Sequence, residues 1–273
     1  MRVYCLVAIG ILSSCPIYSQ PPGGRGPMGQ ASQLDIEGKG TEARAIFQRE
    51  IDSAVSPSAR ANAGRSMAMS WAFEGNCSKT GEYEQKVIDY WKTQEQTQPA
   101  HAFYQEGEMA DEAARVCIDA GDLDYALEWY RRGYEYGMGE PDISADRKAL
   151  WDFRWQHAQA RIAARRGSRA EADRHVAAAR VALDRMTGSR AQQQRFVPYL
   201  TGYVAFWFGD YKAALADLQQ APSDPFIDCM IGQTYEKLGE KEKAMEAYRR
   251  AAEGRGHNPP AAYGIPFARK KLG

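Results

Sequence analysis

The side chains able to do chemistry are few and scattered along the chain. His101, His157, His175 and His257 are the four histidines, and no two of them fit a helical zinc-binding H-E-x-x-H. Cys5, Cys15, Cys77, Cys117 and Cys229 include no pair with the spacing of a zinc site. No G-x-S-x-G elbow, phosphate-binding loop or dinucleotide fingerprint occurs. Cys117 would need a remote histidine to act as a nucleophile, and its place on an inward helix face favours packing. Asp122 and Asp124 could pass for paired carboxylates, but beside a helix start they complement the helix dipole more simply. The sequence therefore argues against an enzyme and names no catalytic, metal-ligating or cofactor-binding residue. A hydrolase or transferase with an unrecognised site would need a strongly perturbed acid or base in a closed pocket, and no such pair is visible.

Charge is distributed in blocks. Lys+Arg and Asp+Glu both total 35, so no net field draws the chain to nucleic acid or to a membrane surface. Tyr104 to Asp142 holds eleven acidic residues against three basic, and Ser144 to Arg195 twelve basic against five acidic. Within the basic block Arg154, His157, Arg161 and Arg165 recur at helical spacing, an arrangement that repels itself unless something anionic answers it. The answer is either the neighbouring acidic block, through salt bridges worth about 0–1 kcal/mol each, or a partner.

The elements that would position these residues are helical hairpins. In Pro225 to Ala252, Ile231, Tyr235 and Leu238 share one helix face, Gly239 interrupts, and Ala244, Met245, Tyr248 and Ala252 share the next. Gly232 and Ala244 lack bulk, so the two helices can approach closely. Similar hairpins are divided at Gly81, Gly121, Gly167 and Gly209, giving spacings of 40, 46, 42 and 30 residues up to Gly239. Ser56-Pro57, Pro99, Pro141 and Pro225 punctuate the hand-over between hairpins. Ser168 with Glu171, and Ser189 with Gln192, read as capping boxes. Asn258 followed by Pro259 opens a short basic helix to about residue 271 that caps the apolar end of the array.

The pattern around Gly232, Tyr235, Gly239, Ala244 and Tyr248 resembles the tetratricopeptide repeat, most clearly over 200 to 252 and less so over 41 to 96. The resemblance implies an all-α, right-handed superhelical solenoid over residues 35–273, with about five helical hairpins from Thr41 on. It also implies a non-catalytic scaffold that binds a protein or peptide on the concave face lined by first helices. Counting back from the turn glycines in that fold places Arg154, His157, Arg161 and Arg165 on the concave wall. Phe196, Tyr199, Tyr203 and Trp207 come from the next hairpin, and Glu108, Asp111, Arg115 and Asp119 from the preceding one. The expected partner carries acidic or C-terminal carboxylate groups. An anionic glycan or cell-wall polymer is the competing ligand, stacking on Tyr and Trp while arginine binds its acid groups. Cys77 and Cys117 each precede a turn glycine by four residues, which places them in equivalent helices about 8–10 Å apart. That is too far for a disulfide, whose Cα atoms lie about 5.5–6 Å apart, so buried free thiols are expected.

The N-terminus reads as an export signal of the bacterial type. Arg2 precedes an apolar run from Val3 to Leu12, too short to span a bilayer. Cleavage after Ser19 makes 1–19 the signal, while Leu12 to Cys15 resembles a lipobox that would leave Cys15 lipidated. Residues 20–34, rich in Pro and Gly up to Ser32, are expected to be a disordered leader. The protein is thus expected to be periplasmic or secreted, with a membrane tether only through Cys15. Mass spectrometry of protein from its own host should find a mature N-terminus near Gln20, or at Cys15 with a diacylglycerol mass. Intact Met1 on cytoplasmic protein would refute export.

Overall fold

The computed structural model describes residues 26–273, so the signal segment, Cys15 and the first part of the leader lie outside the described residues. Those residues form fourteen helices and no strand. Six hairpins follow one another: α1 (Pro27–Ile36) with α2 (Gly40–Asp52), α3 (Pro57–Phe73) with α4 (Cys77–Lys92), and α5 (Pro99–Ala120) with α6 (Leu123–Met138). Then come α7 (Ala145–Arg165) with α8 (Arg169–Asp184), the one-turn connector α9 (Arg190–Gln194), and α10 (Val197–Trp207) with α11 (Tyr211–Leu218). The series ends with α12 (Pro225–Leu238), α13 (Lys241–Ala252) and α14 (Pro259–Leu272). The array is an all-α solenoid.

Each hairpin turns on a residue in the left-handed region, at Gly38, Gly75, Gly121, Gly167, Gly209 and Gly239, with φ between 67° and 93°. A side chain is strained there, which is why glycine marks the turns. One expected turn is corrected. Gly81 lies inside α4, and the chain turns at Gly75, after which Asn76 caps α4 by accepting a hydrogen bond from the Lys79 N–H at 3.0 Å. Gly81 instead gives room to an indole: a Cβ there would lie 3.0 Å from the Trp129 ring.

That shift overturns the expectation of free thiols. Cys77 opens a second helix and Cys117 stands near the end of a first helix, so they are not equivalent. Their Cα atoms are 4.8 Å apart and the sulfurs are bonded. The bridge ties the second hairpin to the third.

Three further expectations change. The leader is shorter than expected, because Pro27 starts a helix whose Ala31 and Ile36 are buried. There are six hairpins rather than five, since α1 completes the first. Ser168 and Ser189 make no capping bond, whereas Ser56, Asp122, Ser144, Asp224 and Asn258 do.

Large rings seated against glycine hold the hairpins together. Trp151, 1% exposed, fills the space that a Cβ at Gly107 or Gly137 would occupy, at 2.3 and 2.0 Å. Tyr248 fills the space beside Gly232, where a Cβ would lie 2.5 Å from its ring. Burying each ring contributes about 1.5–3 kcal/mol.

The last helix does more than cap its own end. α14 packs on α12 and α13 and also on α3 and α5, so the array closes on itself. Ala261, Ala262 and Ile265 join Ile36, Met69, Phe73 and Val116 in one apolar cluster. His257 Nε2 lies 2.8 Å from Asp35 Oδ2, and its ring packs on Phe47 and Phe73 with centroids 5.6 and 5.5 Å apart. Ser70 Oγ donates to the other oxygen of Asp35 at 2.7 Å, and Arg269 donates to the Ile36 carbonyl. Residues 222 positions apart in sequence thus form one buried seam.

Removing His257 would leave one oxygen of the buried Asp35 without a partner, Ser70 still donating to the other. His257→Ala is expected to destabilise the fold by about 1–3 kcal/mol in urea titration, the cost of a buried acceptor left without its hydrogen bond. It should also speed amide exchange in α1 and α3. Faster exchange confined to α13 and α14 would mean that the seam does not bind the two ends.

Candidate functional site

The seven groove residues of the sequence reading lie on two helices that pack together, Arg154, His157, Arg161 and Arg165 on α7 and Tyr199, Tyr203 and Trp207 on α10, with α5 adding Glu108 beside Arg154. Most of them are occupied there by the protein itself. Arg154 pairs with Glu108 and donates to the Tyr104 hydroxyl at 3.1 Å, while its guanidinium lies 4.8 Å from the Trp151 ring centroid. Burial alone would raise the Glu108 pKa; Arg154 and Tyr104 hold it below the usual carboxylate value instead.

Arg161 is 5% exposed. It donates to the hydroxyls of Tyr199, at 3.1 Å, and Tyr130. His157 is buried between Phe153 and Tyr199, with ring centroids 5.8 and 5.2 Å away. Burial, reinforced by Arg161 and Arg115, holds its pKa well below the usual value, so the imidazole is neutral. Tyr203 is 1% exposed and stacks on Phe226 of α12 at 6.4 Å.

Three of the seven keep access to solvent, and one of these, Arg154, is already paired with Glu108. Arg165 is half-buried and lies 4.4 Å over the Trp207 ring, and Trp207 is 40% exposed. Phe196 sits beside them in sequence space only, at the start of α10, 36% exposed. Facing Arg165 are Asp119 of α5 and Tyr263 of α14.

Sequence reasoning missed Tyr104, Tyr130, Phe226 and Tyr263, which determine what the wall exposes. Tyr130 lies on a second helix, whose inward face reads simply as core. Tyr263 reaches the wall only because α14 folds back, which no local pattern announces. Arg65 of α3 adds a further charge pair, donating from Nε to Glu112 at 2.9 Å.

Several carboxyls on and behind the wall are perturbed. Asp111 and Asp119 are half-buried, and burial pushes both up to about 7 against the pull of Arg115 and Arg161. Glu84 is fully buried with neither oxygen hydrogen-bonded, and burial, then Glu112, pushes its pKa well above the carboxylate range. These acids face arginines, other acids and tyrosines rather than a nucleophile. The Cys229 thiol, raised by burial, donates to the Gly264 carbonyl at 3.2 Å and is inert. Among the described residues no group of three or more His, Cys, Asp or Glu side chains could hold a metal ion. None of the described helices is long and apolar enough to cross a membrane.

The described residues thus form an array of helix–turn–helix units. Residues 229–253, spanning most of α12 and α13, match the family model described as Tetratricopeptide repeat. The other five described hairpins are helix–turn–helix units that also turn on a glycine with positive φ. No curated protein matches the chain in sequence. Similar solved structures include a protein of nearly identical TPR-like repeats from Podosopora anserina, at 13% identity and TM-score 0.42, covering 90% of this chain and 95% of that one. BtubC from P. vanneervenii shows 16% identity and TM-score 0.45, covering 81% and 89%. A tetratricopeptide repeat protein from Parabacteroides merdae shows 11% identity and TM-score 0.38, covering 89% and 97%.

Asp119 yields a pH dependence. It holds its proton to about 7 in the fold, whereas an unfolded aspartate releases its proton near pH 3.9. Between those values the folded chain binds more protons, so stability falls as pH rises from about 4 to about 7. Asp119→Asn should therefore be more stable than the parent at pH 8 and nearly equal at pH 4. Each 1 kcal/mol gained would raise the melting temperature by about 2–4 °C. Calorimetry across that range checks it, and parallel melting profiles would refute it.

Proposed function

We propose that this protein is a non-catalytic scaffold that holds a segment of another polypeptide against its concave face, in an exported compartment. The observation that carries the reading is the Arg165–Trp207 pair. Arg154 is answered by Glu108 and Arg161 by two tyrosines, so within the row Arg165 is the cation left for a partner. A carboxylate reaching Arg165 would gain a charge-assisted hydrogen bond, and apolar groups beside it would cover the indole. The Cys77–Cys117 bridge supports export, since structural disulfides persist in oxidising compartments. With it go the short apolar run from Val3 to Leu12 and the lipobox-like Leu12 to Cys15, which would tether a lipidated chain to a bacterial envelope membrane.

The exposed Trp207 ring also favours a second reading, in which it stacks on a sugar of an anionic glycan while Arg165 meets the acid group. The two separate by in vivo photo-crosslinking, with benzoylphenylalanine at position 207 and, as control, at the exposed Val181 of α8. Protease-sensitive adducts from position 207 alone are expected, and Arg165→Gln should lower their yield about tenfold, as a lost charged hydrogen bond of about 1.5–3 kcal/mol predicts. Adducts that resist protease but yield to glycosidase would support the glycan. Equal adducts from positions 207 and 181 would refute both.

A further inference from the structure

Arg165 has two partners within reach inside the protein. Its guanidinium lies 4.4 Å over the Trp207 ring, and its Nη2 stands 3.9 Å from where a Cβ at Gly121 would be. Gly121 ends α5, and Asp119, two residues earlier, is the last acid of that helix. The arginine thus reaches from the indole on α10 to the helix end that carries Asp119. Among the described residues it makes the indole contact and no ion pair. Asp119 in turn is half-buried and accepts no hydrogen bond.

The groups around Asp119 decide what its ionisation does. Arg115 precedes it by one turn on α5, the weaker order for an oppositely charged pair on a helix. Arg161 of α7 is engaged by the hydroxyls of Tyr130 and Tyr199. Asp224, which caps α12, adds a like charge, and Tyr199, Tyr203 and Tyr263 face the same space from α10 and α14. That leaves Arg165, held by an indole alone, as a cation that an ionised Asp119 can draw away. Burial keeps the proton on Asp119 up to about 7, against the pull of Arg161, Arg115 and Arg165. Asp111, eight residues earlier on α5, also holds its proton to about 7, but the charges acting on it are those of Arg154, Glu108, Arg161 and Arg115.

We propose that Asp119 gates the Arg165–Trp207 site. Protonated, it leaves Arg165 over the indole, where an acidic segment of the partner reaches it. Ionised, it draws Arg165 off the ring and repels the segment's carboxylate. The gate rests on the reading of Arg165 as the docking cation, and adds that docking loosens as pH rises through neutrality. The segment's own carboxylates are ionised above about pH 5 and keep their charge throughout. Docking confined to the protonated form follows its population, about nine-tenths at pH 6 and about one-tenth at pH 8, a loss of about ninefold.

The test uses the full oxidised chain with benzoylphenylalanine at position 207, which keeps an aromatic face under Arg165, and an extract of the host cells. Photo-crosslinking at pH 6 should give about ninefold more protease-sensitive adduct than at pH 8. Asp119→Asn, its melting curve showing that it folds, should give the same yield at both. Asp111→Asn should keep the parent's ratio. All three chains meet the same partner, so the partner's own titration cancels. Without any partner, the part of the tryptophan emission that Trp207→Phe removes should titrate near pH 7, and should stay flat in Asp119→Asn. Equal yields at pH 6 and pH 8, or a flat Trp207 emission in the parent, overturn the gate and leave the docking reading standing. A pH-dependent yield that persists in Asp119→Asn, or is lost in Asp111→Asn, also overturns the gate. No adduct at either pH overturns the docking reading, and the gate with it.

Discussion

A guanidinium buried at the centre of the array sets the terms for what surrounds it. Removing the Arg161 charge from water costs several kcal/mol unless hydrogen bonds and nearby opposite charges compensate. The compensation comes from Tyr130 on α6 and Tyr199 on α10, with Asp119 on α5 at longer range. Four helices from three hairpins must therefore converge on one side chain. The same demand recurs where Arg154 meets Glu108 and Tyr104, and where Arg65 meets Glu112. Apolar area drives the hairpins together, but these polar contacts fix the register in which they stack. Asp111 and Asp119 bear part of the cost, since burial beside the arginines leaves them hard to ionise.

The blocks of opposite charge acquire a physical meaning in this light. The acidic block covers α5 and α6, and the basic block α7 and α8, which are neighbours in the stack. Glu108 with Arg154 and Asp124 with Arg166 join them directly. Segregation by sequence becomes pairing in space. Within the row, Arg165 is left beside the exposed Trp207 ring rather than beside a carboxylate of that pairing.

The hairpin of α12 and α13 was legible residue by residue, because Gly232, Gly239 and Tyr248 each serve a contact within one local unit. The second hairpin was misread because Gly75 and Gly81 stand six residues apart in the same polar stretch. Only the cap made by Asn76 decides between them, and the disulfide follows from that choice. The grouping of Arg154, Arg161, Arg165, Tyr199, Tyr203 and Trp207 on one wall also follows from helical spacing. Their exposure does not, because Phe226 and Tyr263 come from helices remote in sequence and cover the wall from the far side.

In an open solenoid each repeat touches only its neighbours, so the terminal repeats fray first and the array can unravel inward. Here the seam of His257 with Asp35 gives the first and last hairpins neighbours as well. The chain has become a ring held by non-covalent contacts, with no free edge at which unravelling can start. Closing it joins points more than two hundred residues apart, a contact that forms late because the loop entropy must be overcome first. The same proximity brings residue 35 to residue 257, so the order in which the hairpins are threaded is not what the ring depends on. Joined at the seam and cut at another connector, a circularly permuted chain would keep the contacts that define this fold.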